Sequence, residues 1–334
     1  MKGIQVLDRP ASQSFYAVAG RFLFVESLER DLAPLIDRLF AGWQLTPVSS
    51  PERLPDIRIT FSGCATLPSV PAGLNEFEVA AGGHCYVSDD GHYLKFARSL
   101  LHLQNDGHVS VEVLATDITN VELARVTSFA VCAALRRFGL FELHSGGVVL
   151  PDSEAGVLII GPSGSGKSTL TLQLVSAGWS YLSDDEVLLS AGDGQVEARG
   201  FRGFFALADG PTSAFKNCFE PEGTRIEQAV PRFLLFTTIT GESHTQLHEL
   251  SQAETMARLI RACPWATYDT AVAGPNLELL SKLARQAKGF DLSAGTDLLE
   301  PGAASRFLSV SLWLTIAGKE NHRDTETQRR TESQ

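Results

Sequence analysis

The sequence predicts an α/β protein with two domains, and three observations support this prediction. Its 334 residues exceed the roughly 100–200 residues of a typical single domain. Strand-like alternation and helix-like spacing of apolar residues follow one another along the chain. A glycine-rich stretch lies between a strand pattern and a helix pattern at 156–179. We therefore expect an N-terminal mixed α/β domain over 1–140, a second α/β domain built around the glycine-rich stretch over 141–317, and a disordered polar tail over 318–334.

The composition excludes several classes of protein. Hydrophobic residue types make up 44% of the chain and charged types 20%, a mixture that can bury a core and excludes wholesale disorder. The 28 Lys and Arg against 39 Asp and Glu give a net charge of −11, whereas nucleic-acid binding and docking on anionic membranes need basic surfaces. The opening residues carry charges where a secretory signal has its apolar stretch, and the apolar runs are too short for a membrane helix. We therefore expect a cytoplasmic protein with no nucleic-acid and no membrane partner.

The N-terminal domain is predicted from the period of its apolar residues. The strand patterns are a strand pair or one long strand at 15–25, a strand at 56–61 and, between 76 and 116, further strands at 76–82, 84–89, 92–98 and 109–114. The helix patterns lie at 28–43, with Pro34 in the first turn, and at 119–138, with Thr119 or Asn120 as its cap and Gly139 as its stop. The second helix is apolar almost all round, so we expect it to lie between two layers.

The region after residue 190 shows a similar alternation. A buried strand is predicted at 232–240, a helix at 251–263 with Ser251 and Glu254 as a capping box, and a helix at 276–289 ended by Gly289. Four basic residues on these helices are interpreted as solvated helix-face charges: Arg258, Arg261, Arg285 and Lys288. His244 and His248 lack a third metal ligand, so a surface segment is the better interpretation.

The glycine-rich stretch matches the phosphate-binding P-loop. Gly161, Gly166, Lys167 and Ser168 satisfy GxxxxGK[ST] after a strand pattern and before a helix pattern. Small residues leave the backbone N–H groups free to contact phosphate oxygens, and the helix N-terminus adds positive potential. Lys167 can reach the β- and γ-phosphates, and the Ser168 hydroxyl is the expected Mg²⁺ ligand. The predicted cradle comprises Gly161, Pro162, Ser163, Gly164, Ser165, Gly166, Lys167, Ser168 and Thr169.

Two adjacent aspartates follow the loop after the length of one helix and a turn. Asp184 and Asp185 stand in YLSDDEVLLS (181–190), which we interpret as the next strand. If that strand neighbours the loop, one carboxylate can hold Mg²⁺ while the other accepts a proton from an attacking hydroxyl. The residue types alone do not assign the two roles.

These motifs together resemble a known family. HSGGVVL (144–150), the P-loop and YLSDDEVLL follow one another within 144–190, and their order and spacing are similar to those of the catalytic domain of bacterial HPr kinase/phosphorylase. The resemblance implies a P-loop kinase domain of the HPr kinase/phosphoenolpyruvate carboxykinase type. It also implies ATP- and Mg²⁺-dependent phosphorylation of a serine hydroxyl on a protein or peptide.

The resemblance further implies a role for each matched residue. Lys167 corresponds to the phosphate-binding lysine, Ser168 to the metal-binding serine and Asp184 to the general base. Asp185 would assist the base or bind metal, and His144 corresponds to a histidine near the active site. The N-terminal domain would bind the substrate or a partner, and a homo-oligomer is compatible with the sequence.

The chain also departs from the family. The family's second signature, around Glu-Ile-Arg-Gly, has only a partial counterpart in 196–205, where Glu197 and Arg199 stand in comparable places. Residues 1–140 show no match to the N-terminal domain of true HPr kinases. The chain therefore looks more like the HPr-kinase-like proteins of peptide-modification gene clusters, some of which phosphorylate a serine of a ribosomal precursor peptide such as a lasso peptide precursor.

Two other functions remain open on the sequence. A small-molecule P-loop kinase would also place an acidic strand shortly after its loop. A non-catalytic ATP-sensing module would need the loop alone, and the presence of both Lys167 and the aspartate pair counts against it.

Overall fold

A computed structural model of the chain describes residues 10–49, 53–79, 82–89, 91–114, 117–208 and 216–315. The predicted tail over 318–334 lies outside the described residues. The chain divides into two compact units. The first holds the described residues up to Glu142 together with 188–190 and 263–279, and the second holds the rest. Segments distant in sequence therefore belong to the first unit.

The first unit contains one large mixed sheet. In the described residues its strand order is β3-β1-β2-β4-β9-β8-β7-β6-β5. The strands are β1 (Ser12–Val18), β2 (Arg21–Ser27), β3 (Thr46–Val48), β4 (Ile57–Cys64), β5 (Asn75–Val79), β6 (Gly83–Ser88), β7 (Gly91–Lys95), β8 (Ser99–Gln104) and β9 (His108–Leu114). The stretch at 15–25 is thus a hairpin, and β8 was not among the predicted strands because SLLHLQ lacks a clean polar alternation.

Two helices belong to this unit, α1 (Ala33–Ala41) and α2 (Asn120–Arg136). Pro34 lies in the first turn of α1, as predicted. Thr119 caps α2, because its Oγ1 accepts a hydrogen bond from the Glu122 N–H at 3.2 Å. The helix buries residues on several faces, including Val126, Val131 and Leu135. This burial agrees with the prediction that the helix is covered on more than one side.

A buried ionic cluster ties the end of α2 to the segment 263–279 of the same unit. Arg137 Nη1 lies 2.7 Å from Asp269 Oδ1, and Arg136 Nε lies 3.2 Å from Asp269 Oδ2. Arg136 also pairs with Glu142. Breaking such a network destabilises the fold, because the removal of one partner leaves a buried charge without its counter-charge. The two arginines therefore anchor the segment rather than only complementing the helix dipole.

The second unit is built on a mixed sheet, in which β15-β18-β12-β11-β13 follow one another. β18 also pairs with β20, on the edge opposite to β12, and β20 pairs in turn with β19. The strands are β11 (Ser145–Val149), β12 (Ala155–Ile160), β13 (Ser180–Ser183), β15 (Val196–Gly200), β18 (Gln228–Ile239), β19 (Gln246–Glu249) and β20 (Lys288–Ala294). The remaining strands are β10 (Phe141–Leu143), which pairs with β14 (Val187–Ala191), and the hairpin of β16 (Phe205–Ala208) and β17 (Lys216–Phe219).

The remaining helices are α3 (Lys167–Ser176), α4 (Gln252–Ala262), α5 (Trp265–Tyr268), α6 (Ala273–Gln286) and α7 (303–315), of which α5 and the start of α6 belong to the first unit. Leu174 of α3 and Leu308 and Leu312 of α7 join Ile159 and Leu235 of the sheet in one buried core. No described helix has both the length and the apolar composition needed to cross a membrane.

Of two predicted helix ends in this unit, the structure confirms one and contradicts the other. The capping box of α4 is confirmed, because Ser251 Oγ accepts from the Glu254 N–H at 3.3 Å and Glu254 accepts from the Ser251 N–H at 2.9 Å. The prediction that Gly289 stops a helix is wrong, because α6 ends at Gln286 and Gly289 lies within β20. A side chain at Gly289 would overlap Thr255, so this glycine allows α4 to pack on the strand.

Candidate functional site

The glycine-rich loop joins the buried strand β12 to α3, as the sequence predicts. Ile160 ends the strand and Lys167 begins the helix. Gly164 and Gly166 have φ values of 82° and 86°, a region that costs a side-chain-bearing residue energy. The turn places the loop at the N-terminus of α3, where free backbone N–H groups and the helix dipole favour an anion.

The side chains of the loop separate into buried and exposed groups. Lys167 is buried, and its Nζ donates to the carbonyl oxygens of Gly161 at 2.9 Å and Pro162 at 3.0 Å. Ser165 is also buried, with its Oγ 3.2 Å from Thr237 Oγ1 of β18. Ser168 is half-buried. The exposed loop residues are Pro162, Ser163, Gly164 and Thr169. The Lys167 ammonium group therefore links the end of the loop to its first two residues, while the exposed residues face solvent.

The register of β11 brings His144 and the aspartate pair to the same end of the sheet as the loop. Ser145 lies opposite Ile160, so His144 stands beside the start of the loop. On its other side, Gly147 of β11 lies opposite Ser183, the last residue of β13. His144 Nδ1 is 3.3 Å from Asp185 Oδ1. Asp184 and Asp185 follow β13 instead of lying within a strand. β11 lies between β12 and β13, so β13, the strand that follows α3 in sequence, is not a neighbour of the loop strand β12.

Gly146, which follows Ser145 in β11, explains how α3 comes close to this strand. A side chain at Gly146 would overlap the hydroxyl of Thr171, whose Oγ1 donates to the Lys167 carbonyl oxygen at 2.9 Å. The glycine thus lets α3, which begins at Lys167, pack directly on β11.

The two aspartates have different environments. Asp184 is 1% exposed, whereas the Asp185 side chain is 37% exposed and beside His144. Asp185 has φ of 68°, in the left-handed region that non-glycine residues rarely adopt and that clusters at functional sites. Ser183 holds the turn, because its Oγ donates to the Glu186 carbonyl and accepts from the Arg202 N–H at 2.9 Å. The pair therefore sits in a constrained turn with one carboxylate inside and one at the surface.

The site perturbs two titratable groups. Desolvation lowers the pKa of His144, and nearby Lys167 acts in the same direction, while Asp185 and Glu186 oppose them. The imidazole is therefore neutral near pH 7. Burial raises the pKa of Tyr181, and the charge of Asp184 adds to this shift, so the phenol stays protonated.

A cavity of about 600 Å³ opens beside the loop and contains cationic side chains. Its lining includes His144, Gly161, Thr238, Arg258 and Arg261. Arg258 Nη1 lies 2.8 Å from Asp291 Oδ1, and this hydrogen bond lowers the pKa of that carboxyl. Arg258 is therefore more than a solvated charge, whereas Arg261 is exposed, as the sequence interpretation expects. Sequence periodicity shows which face of α4 they share but not what that face meets.

Several other predicted candidates stand elsewhere. Glu197 and Arg199 lie on β15, where Arg199 contacts Glu227 and Gln228, and neither lines the cavity beside the loop. His244 and His248 are exposed, in agreement with the surface interpretation.

The described residues fit a magnesium–nucleotide complex in their donor chemistry. The loop offers backbone N–H groups and the Lys167 ammonium to phosphate oxygens, and Ser168 with Asp185 offers hydroxyl and carboxylate oxygens to a hard cation. Among the described residues no three His, Cys, Asp or Glu side chains converge on a metal position. Mg²⁺ in phosphoryl-transfer sites is usually held by one or two carboxylates together with phosphates and waters, which needs no such cluster.

Comparisons with known proteins add little to this geometry. No protein-family model matches the sequence, and neither does any curated protein. Among solved structures, the chain is similar to the HPr(Ser) kinase/phosphatase from Coxiella burnetii, with 12% sequence identity and a TM-score of 0.36 over 55% of this chain and 96% of that one. A TM-score of this size does not establish a common fold, so the site is interpreted from its own residues.

Proposed function

We propose that the second unit is an ATP- and Mg²⁺-dependent kinase that phosphorylates a serine hydroxyl of a protein or ribosomal precursor peptide. One observation carries the proposal: His144, the start of the loop and the Asp184–Asp185 turn meet at one end of three adjacent strands. A phosphate cradle within reach of paired carboxylates is the arrangement that phosphoryl transfer requires.

The transfer is a single displacement at the γ-phosphorus. The acceptor oxygen forms a bond to that phosphorus, the bond to the bridging oxygen of the β-phosphate breaks, and ADP leaves. The hydroxyl proton passes to one of the two aspartates. Loop amides and Lys167 hold the phosphates and offset their charge. Mg²⁺, held by Ser168 and Asp185, would supply further charge neutralisation when bound.

The roles of the two carboxylates follow from different arguments. The family resemblance assigns the base to Asp184 and the assisting or metal-binding role to Asp185. The exposure of Asp185 and its contact with His144 make it the carboxylate of the pair that a hydrated cation can reach from solvent. A neutral imidazole orients the Asp185 carboxylate without neutralising it. We keep Asp184 as the base, and the paired substitutions in the Discussion separate the two assignments.

The cavity that contains Arg258 and Arg261 is our candidate acceptor site. In a chain with net charge −11, Arg261 together with Arg258, whose charge Asp291 partly offsets, favours an acceptor with an anionic group near its hydroxyl. The first unit would then contribute binding of the substrate or a partner.

The same cavity favours a second candidate function, a kinase for a small anionic hydroxy compound. Its volume of about 600 Å³ lies within the roughly 300–1,000 Å³ of small-molecule sites. Both candidates share the donor side of the site and differ only in the acceptor.

The full chain should be incubated with γ-labelled ATP, Mg²⁺ and synthetic peptides that correspond to precursor-peptide genes beside its own gene. We expect label in a peptide, and mass spectrometry should place one added phosphate on a serine. The Lys167→Met variant is the control and should transfer none. Label confined to low-molecular-weight compounds would favour the second candidate, and ATP binding without any transfer would contradict both.

A further inference from the structure

A third carboxylate stands in the turn that contains the two aspartates. Glu186 follows Asp185 and precedes β14, which begins at Val187. Its charge reaches the site, because desolvation lowers the pKa of His144 and Glu186 is one of the two carboxylates that oppose this shift. An uncompensated carboxylate here would also repel phosphates on the loop. The turn therefore has one acidic side chain more than the proposed mechanism uses.

Arg202 compensates the charge of Glu186. Arg202 Nη2 lies 2.7 Å from Glu186 Oε2, and Arg202 Nε donates to the same oxygen at 2.9 Å. The two side chains are only 21% and 17% exposed. Two charge-assisted hydrogen bonds fix the direction of the contact as well as its length, and partial burial reduces its screening by salt. The pair is therefore stronger than an ordinary ion pair at the surface.

The main chain of Arg202 holds the other end of the same turn. Its N–H donates to Ser183 Oγ at 2.9 Å, and Ser183 Oγ donates in turn to the Glu186 carbonyl oxygen at 2.5 Å. Its carbonyl oxygen accepts from the Tyr181 hydroxyl at 3.2 Å. A single residue thus contacts both the residue before the aspartate pair and the residue after it.

The segment that carries Arg202 packs against β13 through buried aromatic rings. It joins β15 to β16, and Phe201 and Phe205, which stand on either side of the arginine in sequence, are fully buried. The Phe205 ring lies 5.0 Å from the ring of Tyr181 in β13. The guanidinium group is therefore placed by core residues, as the support of a catalytic group requires.

The conformation of the turn needs such support. Asp185 has φ of 68°, and a residue with a side chain keeps this conformation only where the surrounding structure holds it there. Within the turn itself, the Glu186 N–H donates to the Asp184 carbonyl oxygen at 2.8 Å. The contacts of Arg202 with Ser183 and Glu186 add restraints from outside the turn, on both sides of the strained residue.

We infer that Arg202 is a positioning residue of the proposed kinase, which fixes the aspartate turn and cancels the charge of Glu186, so that only the two aspartates act on the metal and the acceptor. The inference rests on the proposed function, because it needs a transfer in which these aspartates take part. Arg202 acts through Glu186 and Ser183 and not by contact with the substrate. It is distinct from Arg199 on β15, the arginine to which the family resemblance points.

Transfer from γ-labelled ATP to the synthetic precursor peptides, together with calorimetric titration with Mg-ATP, separates the two parts of this role. Arg202→Met removes the contact and leaves Glu186 without this counter-charge. We expect kcat to fall about 10- to 100-fold, because the aspartates are misplaced, and Mg-ATP affinity to fall about threefold, because a carboxylate is released. In the double variant Arg202→Met/Glu186→Gln, the affinity should return to that of the wild type while kcat stays low.

Two further variants complete the test. Arg285→Met, at an exposed arginine of α6 that donates to Ser281 Oγ, is the matched control and should change neither kcat nor affinity. Arg202→Lys serves if the methionine variant does not fold, because lysine keeps the charge but not the planar pair of donors. It should bind Mg-ATP as the wild type does and have a lower kcat. A role in stability alone would instead lower the midpoint of thermal unfolding and leave kcat unchanged well below that midpoint.

Three results would overturn the inference. If the wild type transfers phosphate and Arg202→Met has the same kcat, the proposed function stands but the arginine does not position the aspartates. If the double variant recovers kcat together with affinity, Arg202 only cancels the charge of Glu186. If the wild type binds Mg-ATP but transfers no phosphate, the proposed function fails and the inference fails with it.

Discussion

His144 Nδ1 lies 3.3 Å from Asp185 Oδ1, and the two residues belong to opposite ends of the predicted catalytic segment. The contact exists because β11 pairs with both β12 and β13. It joins the residue that precedes β11 to a residue of the turn that follows β13. The predictions below follow from this contact and from the loop.

The first prediction concerns the lysine of the loop. Lys167→Met keeps an unbranched apolar stem in a buried position but removes the ammonium group that, in the proposed function, holds the phosphates. We expect transfer to fall about 100- to 1,000-fold and Mg-ATP affinity to fall with it, as measured by labelled transfer and calorimetry. Lys288→Met, which breaks the ion pair with Glu249, is the control and should leave both unchanged. Wild-type transfer by Lys167→Met would remove the lysine from the mechanism.

The second prediction separates the two aspartates. Asp184→Asn should reduce transfer by about 10²- to 10⁴-fold, the range of general-base catalysis, while Mg-ATP binding stays nearly intact. Asp185→Asn should instead raise the Mg²⁺ concentration needed for half-maximal transfer. Transfer rates measured against ATP and against Mg²⁺ distinguish these effects. The reverse pattern would assign the base to Asp185, and wild-type rates in Asp184→Asn would exclude it as the base.

The third prediction concerns pH. Because desolvation lowers the pKa of His144 below its usual 6.5, the imidazole stays neutral as the pH falls to that value and gains its proton only below it. We expect transfer to be flat from pH 8 to 6.5 and to decline at lower pH, where a charged imidazole would hold the Asp185 carboxylate in an ion pair. His144→Gln should lower transfer by up to about 100-fold through misplacement of that carboxylate and should remove the decline. A decline that persists in His144→Gln belongs to another group.

The fourth prediction tests the packing of α3 on β11. Gly146→Val would place a side chain against Thr171, and overpacking of this kind costs about 1–3 kcal/mol. We expect a lower midpoint of thermal unfolding together with weaker ATP binding. Thr171→Ala alone loses one hydrogen bond, a cost of about 1 kcal/mol. In the double variant the two losses should be less than additive, and strict additivity would show that the contact does not limit the packing.

Local pattern accounts for much of the fold and for the donor half of the site. The strand over Ala155–Ile160, the helix from Lys167 and the cap at Ser251 were predicted from neighbouring residues, because each is specified by hydrogen bonds and periods of local range. The insertion of β11 between β12 and β13 was not predicted, because strand pairing is a non-local choice. For the same reason, the surroundings of Arg258 and Arg261 were not predicted, because they depend on how α4 packs against β20.

The strand β11 also fixes how much space the reacting groups have. Adjacent strands lie about 4.8 Å apart, so one intervening strand sets β12 and β13 two spacings apart, at roughly 10 Å. In the proposed function, the phosphoryl group on the loop and the incoming oxygen lie within this width, between the residues that follow β12 and those that follow β13. The width of one strand therefore sets the distance that the reacting groups have to span.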